Sequence, residues 1–178
     1  MNFTAMDFET ANYQADSACS LALALVENDQ IVDTFYTLIN PQAPFNSKNI
    51  SIHHIRPQDV ATAPTFDQIW PHIQSLFDTR HLITAHNASF DTRVLRSTLA
   101  KYQIAAPTYN VIDTLQTSRK FYPQLPNHKL NTVSYALQVN LINHHHALDD
   151  TIACAQILIK TELQFGNEPL QSFIKLKN

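Results

Sequence analysis

Asp7 and Glu9 stand two residues apart at the end of an apolar N-terminal run containing Phe3, Ala5, Met6 and Phe8. In a strand, where side chains alternate between faces, both carboxylates project from the same side. Like charges placed that close repel, and one tends to hold its proton unless a cation lies between them. A divalent metal is the simplest partner for the pair, and a solvated strand end is the plain alternative.

A third acid breaks the usual pattern. Asp91 opens a helical stripe with Val94, Leu95 and Thr98 at the i+3, i+4 and i+7 positions, so it projects from the face that packs inward. A first-turn acid gains from the helix dipole, but that gain suits an exposed acid better than an inward one, because burying an unpaired charge is costly.

The run Asn143-His144-His145-His146-Ala147-Leu148-Asp149-Asp150 precedes the last helical segment. Adjacent residues of an extended loop point in different directions, so three consecutive histidines do not read as one chelating set, and a single useful imidazole is the expectation. Asp149 and Asp150 each suit an ordinary first turn. Taken with Asp7, Glu9 and Asp91, they place acids at strand ends and helix starts, each followed by core-forming residues, which is how a fold builds an oxygen-rich cage for hard cations.

The elements that must position these groups follow from periodicity and turn residues. Phe3 to Glu9, Ser17 to Val26 and Ile31 to Asn40 read as three consecutive strands of an antiparallel meander. Residues 41 to 64 carry Pro41, Pro44, Pro57 and Pro64 and read as a long excursion centred on Ile52-His53-His54-Ile55. Thr65-Phe66-Asp67-Gln68 has the form of a capping box, ahead of a helix that Pro71 should kink or delay. A strand at His81 to Ala85, a helix from Asp91, a strand at Tyr109 to Ile112 and a short helix ending near Phe121 come next. A helix over Lys129 to Leu137 and a last one from about Asp149 to Phe165, stopped by Gly166, complete the order.

Composition narrows the function. A chain of 178 residues fits one domain with a substantial core. Cys19 and Cys154 lie far apart with no CxxC, which sets aside zinc-ribbon and thioredoxin chemistry and suits small core residues in a reducing, cytoplasmic setting. Acid at Asp7 argues against a signal peptide, and no run is long enough to span a membrane. Gly166 is the single glycine, whereas dinucleotide and Walker loops need several. A net charge of −3 means that a nucleic-acid partner would not be held by a broad basic surface, so contact would be local. Arg93, Arg96, Lys101, Arg119, Lys120 and Lys129 flank the acids in sequence.

Asp7-Phe8-Glu9-Thr10, Ala85-His86-Asn87-Ala88-Ser89-Phe90-Asp91 and His145-x-x-x-x-Asp150 resemble, in order and context, the three motifs of the DnaQ-like (DEDDh) 3′-to-5′ exonucleases. The resemblance covers about the first 165 residues. It implies a ribonuclease-H-like α/β fold, a mixed five-stranded sheet flanked by helices, with residues 1–166 as the exonuclease domain and 167–178 as a tail that packs back or frays. It implies further that Asp7, Glu9, Asp91 and Asp150 hold two Mg²⁺ or Mn²⁺ ions and that His145 is the general base, with His144 its competitor and His146 and Asp149 as bystanders. Phe8, Thr10, Ala11, His53 and Asn87 are the expected substrate contacts. The implied partners are single-stranded or 3′-end DNA or RNA, and a DNA polymerase.

The chain departs from the family pattern in two places. Thr10-Ala11-Asn12 replaces a Gly-rich stretch, with Asn12 able to make a left-handed turn. Ile52-His53-His54-Ile55-Arg56 resembles the family's Ile-His-Gly-Ile-Thr with Gly and Thr replaced. Asp-Phe-Glu-Thr-Ala-Asn at 7–12, Ser17-Ala18-Cys19 and Asn127-His128-Lys129-Leu130 are similar to a bacterial stand-alone subgroup, polymerase III epsilon-like. Two other readings stay open: a catalytically silent nucleic-acid-binding or polymerase-accessory module, and a phosphodiesterase of short oligonucleotides or RNA ends.

Overall fold

The computed structural model describes residues 1–178. Strands β1 (Phe3–Thr10), β2 (Ala18–Glu27) and β3 (Gln30–Leu38) form the antiparallel meander. β4 (Leu82–Ala85) and β5 (Tyr109–Asp113) join β1 in parallel, each after a helical crossover. The sheet order is β3-β2-β1-β4-β5-β6.

Alternation along β1 divides the interior in two. Met6 and Phe8 face α2 (Phe66–Ile73) and α3 (Ala88–Lys101), in a core with Leu21, Leu23, Phe66, Trp70, Leu95 and Leu99. Phe3 and Ala5 face the opposite layer, where Ala24 and Val26 meet Ala155, Leu158 and Ile159 of α6 (Ala147–Phe165). With both faces covered, β1 and β2 run as nearly continuous buried strands, the pattern expected for a central sheet. Asp7 and Glu9 share the parity of Phe3 and Ala5, so both carboxylates emerge on the α6 side at the carboxyl end of β1.

Two expectations from the sequence are corrected here. The sheet has six strands rather than five, because β6 (Lys175–Lys177) pairs antiparallel with β5. It is reached through α7 (Glu168–Gln171), whose Leu170 is fully buried, and through Phe173, whose ring packs 5.8 Å from that of Phe121. Residues 41–64 are not all loop: α1 (Ser47–His53) lies at their centre, capped by the Asn46 side chain, which accepts the Lys48 N–H at 2.8 Å. Pro71 does not delay the start of α2. The Gln68 side chain accepts the Thr65 N–H at 3.0 Å, and the helix runs through Pro71 before tightening into a 3-10 turn at Gln74–Leu76.

With one glycine available, the chain turns its left-handed corners on side-chain-bearing residues: Asn28, Asp29, Gln42, His54, Asn87, Gln103, Gln138 and His145. Asn12 is not among them. Its side chain instead accepts the Gln14 N–H at 2.8 Å and closes a local turn. His54, which stands where the family pattern has glycine, takes φ 63° and caps α1.

Candidate active site

The carboxyl ends of β1 and β4 meet the first turns of α3 and α6, and the acids singled out in the sequence gather there. Oxygens of Asp7, Glu9 and Asp150 lie within 4.8 Å of one another. Asp91 reaches the same edge from the opposite layer, buried to 1% exposure, and accepts the Phe8 N–H at 3.1 Å. A helix on one face and a strand pointing to the other thus bring their acids to one rim.

The electrostatics follow from that crowding. Burial pushes the Asp7 carboxyl well above the usual carboxylate range, and Asp91, Glu9 and Asp150 push it further. Glu9 is raised to about 8 by burial and by Asp150 and Asp91. Asp91 is raised to about 8, chiefly by burial, with the Phe8 N–H acting in the opposite sense. Side chains in this state gain from a positive charge among them. The donor set is oxygen throughout, which fits a hard divalent cation rather than a soft one.

Loop residues 143–146 bring the imidazoles to the same rim. His145 has φ 72°, and its N–H donates to Asp150 Oδ2 at 3.0 Å. The His144 Nδ1–H donates to Asp150 Oδ1, also at 3.0 Å, and the two rings stack at 3.9 Å. Both carboxylate oxygens of Asp150 are therefore engaged by one dipeptide. Burial, and the nearby His144, hold the His145 pKa below 6.5. His146 turns away, its ring 5.2 Å from Tyr36, and Asp149 accepts from Asn143 at 2.8 Å.

The other expected contacts fall in two groups. Asn87, left-handed at φ 73°, lines an open cleft of about 720 Å³ together with Asp7, His144, His145 and Asp150. Phe8, Thr10, Ala11 and His53 are buried and frame the site from behind. The Phe8 ring is in the core, Ala11 is bound at both its N–H, to Ser17, and its carbonyl, by Asn46, and Thr10 O accepts from Asn49 and His53. His53 has both ring nitrogens occupied: Nδ1 accepts the Ile55 N–H at 3.0 Å, which leaves Nε2 to donate to Thr10 O at 3.1 Å.

Several cleft residues stood in the sequence only inside resembling motifs or among scattered cations, with no role of their own. His86 Nε2 donates to the His128 carbonyl at 2.8 Å while Nδ1 accepts from Thr114 at 2.9 Å, which ties residues 127–129 to the end of β4. Arg119 and Lys129 line the same cleft as Asp7 and Asp150, with Asn127 and Asn131. His128 Nδ1 is buried there without a hydrogen-bond partner. The link is a contact across 42 positions, invisible to local pattern.

Comparison with known proteins places this geometry. Residues 4–158 match the family model described as exonuclease (RNase_T). The chain is 34% identical over 160 residues to DNA polymerase III PolC-type of Caldanaerobacter subterraneus subsp. tengcongensis, and 33% identical over 162 residues to the PolC-type polymerase of Bacillus subtilis. Each alignment covers 89% of this chain and 11% of the relative, so the chain spans about a tenth of those polymerases. Among solved structures, Exonuclease X in complex with 5′ overhanging duplex DNA superposes with TM-score 0.80 at 24% identity, covering 96% of this chain and 98% of that one. The nuclease domain of 3′hExo, a DEDDh family member bound to rAMP, gives 0.79 at 19% identity, with 99% and 96% covered. The mixed sheet with flanking helices is thus the ribonuclease-H-like exonuclease fold, and the divergence from these two structures lies in sequence rather than architecture.

Proposed function

The chain belongs to the exonuclease family, and we propose that it is a 3′-to-5′ nuclease dependent on divalent metal whose own residues perform the reaction as follows. The observation that carries the reading is the convergence of Asp7, Glu9 and Asp150 oxygens within 4.8 Å, with Asp91 and His145 on the same rim. Asp7, Glu9, Asp91 and Asp150 would hold two Mg²⁺ or Mn²⁺ ions. That pair would supply an acidified water and positive charge beside the scissile phosphate.

His145 takes the water's proton. An imidazole whose pKa lies below 6.5 is neutral at working pH and has its lone pair free for that task. His144 positions Asp150 instead, because its Nδ1–H is already given to that carboxylate. Asn87, Arg119 and Lys129 face the terminal nucleotide from the cleft wall, and Phe8, Thr10, Ala11 and His53 fix the backbone edge on which it rests. The product is a nucleoside 5′-monophosphate.

The substrate is a single strand or an accessible 3′ end of DNA or RNA, in keeping with relatives whose structures contain duplex DNA and rAMP. Likeness to PolC-type polymerases makes a DNA polymerase the natural partner, and proofreading or repair in the cytoplasm the natural setting. No helix is long and apolar enough to cross a membrane. Residues 1–166 carry the chemistry, and 167–178 complete the sheet edge.

A 5′-labelled single strand incubated with Mn²⁺ tests the proposal. Progressive shortening from the 3′ end, with mononucleotides released, is the expected result for the wild type and not for Asp7→Asn or His145→Ala. Binding without shortening would identify a silent accessory module, and cleavage confined to oligomers of two to five residues would identify a short-oligonucleotide phosphodiesterase.

A further inference from the structure

Basic residues that looked scattered in the sequence fall into separate places in the fold. Arg119 and Lys129 line the catalytic cleft, and Lys101 donates to the Pro41 carbonyl. Arg93 and Arg96 have a different setting. With Ser89 they occupy the i, i+4 and i+7 positions of α3, a single helix face. Across from that face runs β6, whose Lys175 and Lys177 are two residues apart and so project from one side of the strand.

Between α3 and β6 lie two adjoining cavities of about 270 and 360 Å³. Arg93, Arg96 and Tyr109 line the first and Lys175 the second, while Ser89 and Lys177 are common to both. The second cavity abuts the catalytic cleft. Ala88 and Gln116 on its wall directly follow Asn87 and Leu115 on the cleft wall, and Asp113, which it also contains, accepts the Asn87 N–H at 3.0 Å. Together the two cavities form a furrow that begins beside the cleft wall and runs roughly 10 Å along α3.

The positive charge in the furrow has no carboxylate partner. Every ion pair in the molecule lies elsewhere, at Met1, Asp78 or the loop before α6, and none involves Arg93, Arg96, Lys175 or Lys177. In a chain of net charge −3, four unpaired cations facing one another across a groove form a local exception. Asp113, the acid that lines the second cavity, is occupied as the cap of α4 (Thr114–Phe121), accepting the Leu115 N–H at 2.9 Å. Spaced cations along a groove complement the regularly spaced negative charge of a phosphodiester backbone.

We propose that the furrow between α3 and β6 holds the sugar-phosphate backbone of the substrate strand beyond the cleft, on the 5′ side of the nucleotide being removed, through Arg93, Arg96, Lys175 and Lys177. The proposal rests on the nuclease reading of the adjoining site and deepens it: the cleft selects the terminal nucleotide, and the furrow makes the enzyme prefer a chain to a dimer. Because these interactions are with phosphate, they confer length preference and salt dependence without base preference.

The test is binding of a fluorescein-labelled 20-nucleotide single strand, followed by anisotropy in EDTA so that no hydrolysis occurs. Wild type is compared with Arg93→Ala/Arg96→Ala and with the further variant that adds Lys175→Ala/Lys177→Ala. All four side chains are at or near the surface, and alanine leaves the β5–β6 backbone pairing in place. The expected result is a Kd raised about 10-fold or more in the fourfold variant, with a slope of log K against log salt shallower by about 0.7 for each phosphate no longer neutralised. Mn²⁺-dependent release of mononucleotide from a trinucleotide is measured in parallel and is expected to be the same in all three proteins. Unchanged affinity and slope for the 20-mer would overturn the proposal, as would an equal loss on the trinucleotide, which would place the effect in the cleft. Should the trinucleotide survive intact in wild type while 20-mer binding still depends on the four cations, the furrow stands and the hydrolytic reading falls.

Discussion

The carboxylate of Asp91 accepts the backbone N–H of Phe8 at 3.1 Å, joining the first turn of α3 to β1 across 83 positions of sequence. One side chain thus serves two ends, since the hydrogen bond fixes its carboxyl at the rim while burial sets its protonation. Asp91→Ala removes both and should abolish hydrolysis, with a loss of about 1–3 kcal/mol in urea unfolding for the orphaned N–H. Asp91→Asn keeps an oxygen for Phe8, so its stability should stay near wild type while activity is still lost. Equal destabilisation by the two variants would show that the hydrogen bond is not what Asp91 contributes to the fold.

The acid cluster makes metal-free stability depend on pH. In the folded chain Glu9 and Asp91 titrate near 8, whereas unfolded carboxylates have released their protons by about pH 5. Between those limits the folded state binds more protons than the unfolded one, so stability falls as pH rises toward 8. His53, His86 and His145, all held below 6.5, act in the other direction only where the unfolded chain protonates its imidazoles, below about pH 7. In EDTA, Tm should therefore decline from pH 7 to pH 8, and Asp7→Asn should flatten the decline and raise Tm at pH 8. Each kcal/mol recovered corresponds to roughly 2–4 °C. Mn²⁺ should remove the slope in the wild type. A metal-free Tm that climbs over this interval would contradict the clustering of protonated carboxyls.

His145 and His144 should separate kinetically. His145→Ala should lower kcat by about 10²–10⁴-fold and eliminate the acid limb of the pH–rate profile, whose inflection in the wild type lies below 6.5. His144→Ala leaves the base in place but frees Asp150 Oδ1, so the expected change is a midpoint for Mn²⁺ activation about 10-fold higher, with kcat at saturating metal within about 3-fold. The reverse pattern, with the kcat loss at His144, would exchange the two roles.

His53 should prove structural. Both its ring nitrogens are bonded and the residue is 7% exposed, so His53→Ala strands the Ile55 N–H, removes one of two donors to the Thr10 carbonyl and leaves a cavity in its place. A loss of about 2–4 kcal/mol by urea denaturation is expected, with kcat/KM per folded molecule within about 10-fold of wild type. Full stability combined with a large rise in KM would make it a substrate contact instead.

Much of this arrangement can be read from single residues. Asp91 is legible because Val94, Leu95 and Thr98 mark its helix face as inward, and Asp7 and Glu9 because a strand's alternation is strict. What escapes is whatever depends on contacts distant in sequence or on too few residues to have a period. Lys175-Leu176-Lys177 is three residues long, and only the exposed edge of β5 makes it a strand. α1 lies hidden in a proline-rich stretch because its seven residues bury only His53 and so show no apolar stripe. The direction taken by each imidazole at 144–146 follows from the positive φ of His145, a property of the closed loop and not of the tripeptide.

That backbone habit has a thermodynamic side. Glycine would turn more comfortably at the eight left-handed corners, but each one would widen the denatured ensemble at a cost of about 0.4–1 kcal/mol. The polypeptide therefore enters folding with fewer conformations to surrender, and the local strain it accepts in exchange falls in part on Asn87 and His145, the two corners that border the cleft.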